Sequence, residues 1–275
     1  MTRIFGVIGH PVAHSLSPAM HEAAFHALRL DAVYAAIDAP PKHLRPMLQA
    51  LALAGVEGLN VTVPLKEAIA PWLDRLDPHA AAMRAVNTVV ISNRRTIGYN
   101  TDGIGFRRAL IALGWRPRAT RAVILGAGGA AQAVAWELAR IRGSRLTIAN
   151  RHLGRARRLA RWLTKHHPGV CACPTRLSRV RLDDADLLVN ATSVGMRPSD
   201  GLLIDPCQLR QGLMVYDLVY NRTTPLVAAA RRRRCVAANG ASMLLYQGAE
   251  SFRLWWHRPP PLAAMRRALQ EALTR

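Results

Sequence analysis

The sequence predicts an α/β fold in two domains, the second of them a doubly wound parallel sheet, and three observations carry that prediction. Short apolar runs patterned like buried strands alternate with longer helical stretches along the chain. In RAVILGAGGAAQAVA, Arg121 to Ala135, one such run, Ala122 to Leu125, passes through a glycine loop and leaves as a helix over Gln132 to Arg140. At 275 residues, half of them hydrophobic, the chain has room for two cores of ordinary size.

Taken in order, Ile4 to Gly9 is the first strand, and Pro11 keeps the following loop, HPVAHSLSP, extended. Ser17 caps a helix whose first position is Pro18. Ser15 and Ser17, two hydroxyls at a helix start, can both face a polyhydroxylated or carboxylated ligand; capping explains Ser17 alone. His21 and His26 in HEAAFH are five apart rather than four, on different helix faces, which argues against a metal site. They, His10 and His14 read as surface or loop residues. Ala32 to Asp38 is a strand, Leu44 to Leu53 a helix, and Gly58 to Val63 a strand running into NVTVPLK. Along it Asn60 and Thr62 share one face, which an apolar strand tolerates only if they meet a polar partner. Pro64 stops the ladder just before Lys66. A lone lysine is ordinarily a surface residue, but this chain keeps only Lys42, Lys66 and Lys165 among 38 basic residues, so one retained here points to a wanted titratable amine. After an alanine-rich helix come Asn87-Thr88, opening a strand, and Asn100-Thr101-Asp102, closing another at a helix start; the helix runs from Gly105 to Leu113. Asp102 is either that helix's N-terminal anion or part of a ligand-facing wall with the two Asn-Thr pairs.

The second half opens on the glycine loop. Gly126-Ala127-Gly128-Gly129-Ala130-Ala131 fits G-x-G-x-x-A in its required strand, turn and helix context. Gly126 permits the tight turn, Gly128 lets backbone N–H groups approach a pyrophosphate, and Ala131 keeps the helix close to the strand. An NAD site usually ends the next strand, here Arg145 to Asn150, with an acid on the ribose. This strand ends in Asn150-Arg151 instead, with Arg155 a helical turn further on, and two guanidinium groups suit a 2′-phosphate. Arg157, Arg158 and Arg161 read as a solvated helix face. Asp186 to Asn190 is a strand running into Ala191-Thr192-Ser193-Val194-Gly195-Met196 at the ligand-binding edge of an open sheet, and Leu213 to Tyr220 is the next strand. Gly240 to Trp255 is a long helix on which Met243 and Gln247 share a face.

Composition narrows the alternatives. No apolar run is long enough to cross a membrane, and Met1-Thr2-Arg3 leads into a strand without a signal-peptide core, so the expected compartment is the cytoplasm. Cys171, Cys173, Cys207 and Cys235 have no C-x-x-C spacing and read as small core hydrophobes, which indicates neither disulfides nor zinc. The net charge of +21 invites a nucleic-acid partner, but the arginines are scattered and their clusters lack interleaved aromatics. Weak nonspecific polyanion binding at low salt is the expected consequence.

GHPVAHSLSPAMH, NVTVPLKE, AVNT, GYNTDGIG, GAGGAA, NRH, NATSVGM and NGASMLLYQ together resemble, in order and nearly in spacing, the shikimate 5-dehydrogenase family, over essentially the whole chain. That family interconverts 3-dehydroshikimate and shikimate with NADP. The resemblance implies a substrate pocket of Ser15, Ser17, Asn60, Thr62, Lys66, Asn87, Asp102, Tyr216 and Gln247, with Lys66 and Asp102 as the catalytic pair. It implies NADP on Gly126, Ala127, Gly128, Gly129 and Ala130, with Asn150, Arg151, His152 and Arg155 around the 2′-phosphate, Gly240 and Met243 by the nicotinamide, and Thr192 among the cofactor-binding residues; core packing is the other reading of Met243. It also implies a substrate domain over residues 1–101 completed by helices from 240–275, a Rossmann-type NADP domain over 102–239, and an active-site cleft between them. His152 stands where the family usually has Thr or Ser, the loop after Tyr220 is a residue short, and Trp255-Trp256-His257-Arg258 replaces a Trp-x-Gly ending. The rivals are a quinate or quinate/shikimate dehydrogenase and a ligand-binding regulator without catalysis. Ser15, Ser17 and the arginines after Asn150 favour shikimate and NADP, and monomers and homodimers both fit.

Overall fold

The computed structural model describes residues 1–274, which divide into two compact units: Met1–Gly105 with the C-terminal segment from Leu245, and Phe106–Leu244. Both junctions fall about a helical turn later than the sequence reading puts them. Asp102 therefore belongs to the first unit, and Gly240 and Met243 to the second.

The first unit contains β1 (Arg3–Gly9), α1 (Ser17–Ala27), β2 (Ala32–Asp38), α2 (Leu44–Leu53), β3 (Val56–Val61), β4 (Arg75–Leu76), α3 (Pro78–Met83), β5 (Thr88–Ser92), β6 (Arg95–Tyr99) and the start of α4 (Asp102–Ala112). Its sheet has the order β2-β1-β3-β5-β6-β4. β1 pairs in parallel with β2 and β3, and β5 runs antiparallel to β3 and β6. One face buries Ile8, Leu44, Leu48, Leu59, Val86 and Val89. Asp77 caps α3 with its side chain on the His79 N–H, and Arg84 ends it in the left-handed region at φ +49°.

The second unit contains β7 (Arg121–Leu125), α5 (Gly129–Ala139), β8 (Arg145–Asn150), α6 (Leu153–His166), β9 (Cys171–Arg176), β10 (Leu187–Asn190), β11 (Met214–Asp217), α7 (Pro225–Arg232) and β12 (Val236–Ala238). All six strands are parallel in the order β12-β11-β10-β7-β8-β9, the doubly wound arrangement in which the order reverses between β7 and β10. Val123, Leu125, Leu188, Val215 and Leu226 anchor its core. The last two helices are α8 (Ala241–Trp256) and α9 (Leu262–Thr274), the latter packed against α1.

Three expectations need correcting. His21 is fully buried rather than on the surface: it stacks face to face on Tyr34 with ring centroids 4.5 Å apart, inside a cluster with Phe25 and Trp255. Burial lowers its pKa to about 3, so the ring is a neutral aromatic member of the core. Cys171, Cys173 and Cys207 are exposed, and only Cys235 is a core residue. The first two lie on β9, an edge strand most of whose residues are exposed. Ser17 does not cap α1; Leu16 holds the N-cap position without any side-chain bond, and Ser17 is already helical.

Candidate active site

β5 and the start of α4 bring the polar residues of the first unit together. Asn87, just before β5, donates to Asp102 Oδ1 at 2.8 Å and to Thr101 Oγ1 at 2.9 Å, while its own carbonyl accepts from the Thr101 N–H at 2.7 Å. Asn100 holds the Asp102 N–H at 3.1 Å. The other carboxylate oxygen, Oδ2, accepts from Lys66 Nζ at 2.5 Å. Lys66 reaches it from the loop after β3, where its carbonyl accepts from the Val86 N–H at 2.8 Å and ties that loop to the approach to β5. The pair is asymmetric in exposure, with the lysine side chain 29% accessible and the aspartate 11%. The result is a carboxylate held on both oxygens, with an ammonium group facing solvent.

Behind this pair lies a buried polar network. Asn60 accepts from the Tyr34 hydroxyl at 2.7 Å and donates to Ser251 Oγ at 2.9 Å; Ser251 is 2.8 Å from Thr88 Oγ1. Burial pushes the Tyr34 phenol up, keeping it a neutral donor. Gln247, one turn before Ser251 on α8, accepts from Asn87 at 3.3 Å. Asn60 thus meets its polar partners within the protein, while Thr62 lies beyond the end of β3, partly exposed, its N–H on the Ile8 carbonyl. Ser15 and Ser17 meet at the start of α1, where Ser15 Oγ accepts from the Ser17 N–H at 3.3 Å. Ser17 is buried beside the Tyr34 phenol. Tyr34 and Ser251 were not singled out from sequence, whereas Thr88 and Thr101 were read there as members of the two Asn-Thr pairs. Ser251 had a usable signal, because it continues the four-residue spacing of Met243 and Gln247 along one helix face.

The second unit carries the glycine loop at the carboxyl edge of β7. Gly126 adopts φ +115°, and a Cβ there would lie 2.7 Å from the Ala191 carbonyl oxygen, so only glycine fits the turn. Nothing lies within 4 Å of where a Cβ on Gly128 or Gly129 would stand; with Ala130 they are exposed, and Ala127 is half-buried. α5 begins at this surface with no side-chain cap and no acid in its first turn, which leaves its N–H groups for an anion. Those features fit a dinucleotide pyrophosphate. Asn150 turns inward to accept from the His152 N–H at 2.9 Å, while Arg151, His152 and Arg155 are exposed at the start of α6. Thr192 closes the turn after β10, donating to Asn190 and accepting from the Val194 N–H.

Residues 7–89 match the shikimate dehydrogenase substrate binding domain, residues 112–197 match shikimate/quinate 5-dehydrogenase, and residues 240–270 match the shikimate 5′-dehydrogenase C-terminal domain. A shikimate dehydrogenase (NADP(+)) from Methanopyrus kandleri is 46% identical over 280 residues, covering 99% of this chain and 96% of its own. The chain belongs to the shikimate dehydrogenase family. Among solved structures of the family, one in complex with NADP+ superposes with a TM-score of 0.94 at 38% identity, over 100% of this chain and 96% of the other. The Thermus thermophilus enzyme, solved with NADP(H) and shikimate, gives 0.89 at 39% identity over 98% and 100%.

Tyr216, which the resemblance implies for the substrate pocket, has its hydroxyl engaged within the second unit. It is fully buried, packs edge to face on Phe106, lies 2.8 Å from Ser242 Oγ and accepts from the Met243 N–H at 3.1 Å. Its hydroxyl thereby fixes the first turn of α8 and the backbone of Met243. Gly240 is required by contact: a Cβ would fall 2.2 Å from the Leu218 carbonyl oxygen. Asp217, with its carboxyl pushed up by burial, binds Asn190 and Thr224 and holds the ends of β10 and β11 together.

Proposed function

We propose that this chain is an NADP-dependent shikimate dehydrogenase, reversibly reducing 3-dehydroshikimate to shikimate on the chorismate route to aromatic amino acids. The observation that carries the reading is the Lys66–Asp102 pair, 2.5 Å apart, in a chain whose full-length relatives bear that activity. NADPH supplies the hydride when bound. Lys66 gives a proton to the carbonyl oxygen as that carbon is reduced, and takes it back in the oxidative direction. Asp102, held by Asn87 on its other oxygen, keeps the ammonium group aimed and hydrogen-bonds the hydroxyl that forms. Ser15 and Ser17 hold the substrate carboxylate, with Thr62, Asn87 and Gln247 placing the ring. Gly126 to Ala130 receive the pyrophosphate, Arg151 and Arg155 the 2′-phosphate with His152 beside them, and Thr192, Gly240 and Met243 the nicotinamide end.

The compartment fitting this chemistry is the cytoplasm, in keeping with four cysteines that are all free thiols. Among the described residues no helix is long and apolar enough to cross a membrane. Following NADP reduction in the presence of shikimate tests the activity itself. Shikimate-dependent turnover that fails when Lys66 is removed supports it; tight shikimate binding without turnover makes the chain a ligand-binding regulator.

A further inference from the structure

Two arginines from neighbouring strands open onto one cavity in the second unit. Its volume is about 410 Å³, and it is lined by Arg151, Arg176, Leu177, Ser178, Leu202 and Leu203. Arg176 is the last residue of β9, and the parallel register sets it opposite Asn150, the residue before Arg151. The two arginines therefore leave the carboxyl edge of the sheet at the ends of adjacent strands, whose backbones lie about 4.8 Å apart. That is the edge where a doubly wound sheet takes its ligand, and the end of the second strand is where the adenosine ribose is held. Among the described residues neither guanidinium has a hydrogen-bond or ion-pair partner within the protein. Two cations on the wall of one cavity are better placed with an anion between them, and the leucines offer an apolar face beside it.

We propose that Arg176 is a specificity-determining residue for NADP over NAD, flanking the adenosine 2′-phosphate from the side opposite Arg151. The proposal rests on the NADP reading above. In so arginine-rich a chain an exposed arginine is ordinarily only solvated. What separates Arg176 from that background is its place in the cavity, and Arg179, exposed three residues later but not lining it, is the comparison.

The test is calorimetric binding of two fragments that differ only in the 2′-phosphate, adenosine 2′,5′-bisphosphate and adenosine 5′-monophosphate, at one fixed ionic strength. Arg176→Ala should weaken the bisphosphate about tenfold, the loss expected for one charge-assisted bond, and leave the monophosphate within about twofold. In steady state the same variant should raise KM for NADP and not for NAD. Arg179→Ala should change neither fragment selectively. Equal weakening of both fragments by Arg176→Ala, no weakening of either, or the same selective loss in Arg179→Ala overturns the proposal. If Arg151→Ala alone keeps the selective loss, Arg176 is dismissed and the NADP reading stands. If the unmodified protein binds the two fragments equally, the NADP reading itself falls and takes the proposal with it.

Discussion

Asp102 has both carboxylate oxygens engaged, one by Lys66 and one by Asn87, so neither member of the proposed catalytic pair can be changed without disturbing the other. Losing a positioned general acid costs about 10²–10⁴-fold in rate. Lys66→Ala should lower kcat by that order while changing substrate affinity much less, and Asp102→Asn should do similar damage. Because the two act as a unit, the double variant should be little slower than the poorer single one; losses that multiply in full would show independent roles. His21 gives a second expectation. Its folded pKa of about 3 lies below the unfolded value of 6.5, so the unfolded chain binds the proton first, and stability is lost as pH falls through that interval. The loss is about 1.4 kcal/mol per pH unit below the upper value. Urea unfolding of the protein and of His21→Phe across that interval should show a shallower decline in the variant; parallel declines would contradict it. His21 was not legible in the sequence because a polar residue in a helical pattern reads as exposed, and only the long-range stack on Tyr34 reveals otherwise.

The strand, glycine loop and helix around Gly126 were fully legible, since that motif's geometry is dictated by local backbone demands. Two substitutions test how much depends on them. Gly126→Ala combines a left-handed φ, which costs about 1–2 kcal/mol for a residue with a Cβ, with a contact at 2.7 Å to the Ala191 carbonyl oxygen. It should weaken NADP and NAD alike, unlike changes at Arg151 or Arg176, whose proposed 2′-phosphate role should confine the loss to NADP. Gly240→Ala meets the Leu218 carbonyl oxygen at 2.2 Å, so backbone must move, and a lowered Tm is expected together with impaired turnover. An unchanged Tm would mean that the start of α8 adjusts freely. The elements that escaped the sequence reading are β4, β9, α7 and β12. β9 carries Pro174 and exposed residues because it is an edge strand, so it lacks the apolar run that marks its buried neighbours. β4 and β12 have two and three residues, too few for any periodicity to show.

For the chain taken together, the two-unit division was readable, but the return of the C-terminal segment to the first unit was not, because no local pattern encodes a contact between the two ends of the sequence. It came only from the resemblance. The net charge of +21 should show itself as retention on a polyanion column at low ionic strength, released steeply by salt and indifferent to nucleic-acid sequence. Sequence-selective binding that survived physiological salt would contradict the enzyme-only reading. The most direct measurement of that reading is kcat/KM for the four combinations of shikimate or quinate with NADP or NAD, determined on the unmodified protein. The account predicts that shikimate with NADP is the best pair, ahead of NADP with quinate and by at least about tenfold ahead of shikimate with NAD, as loss of one charge-assisted contact implies. A higher value for quinate, or for NAD, would contradict it.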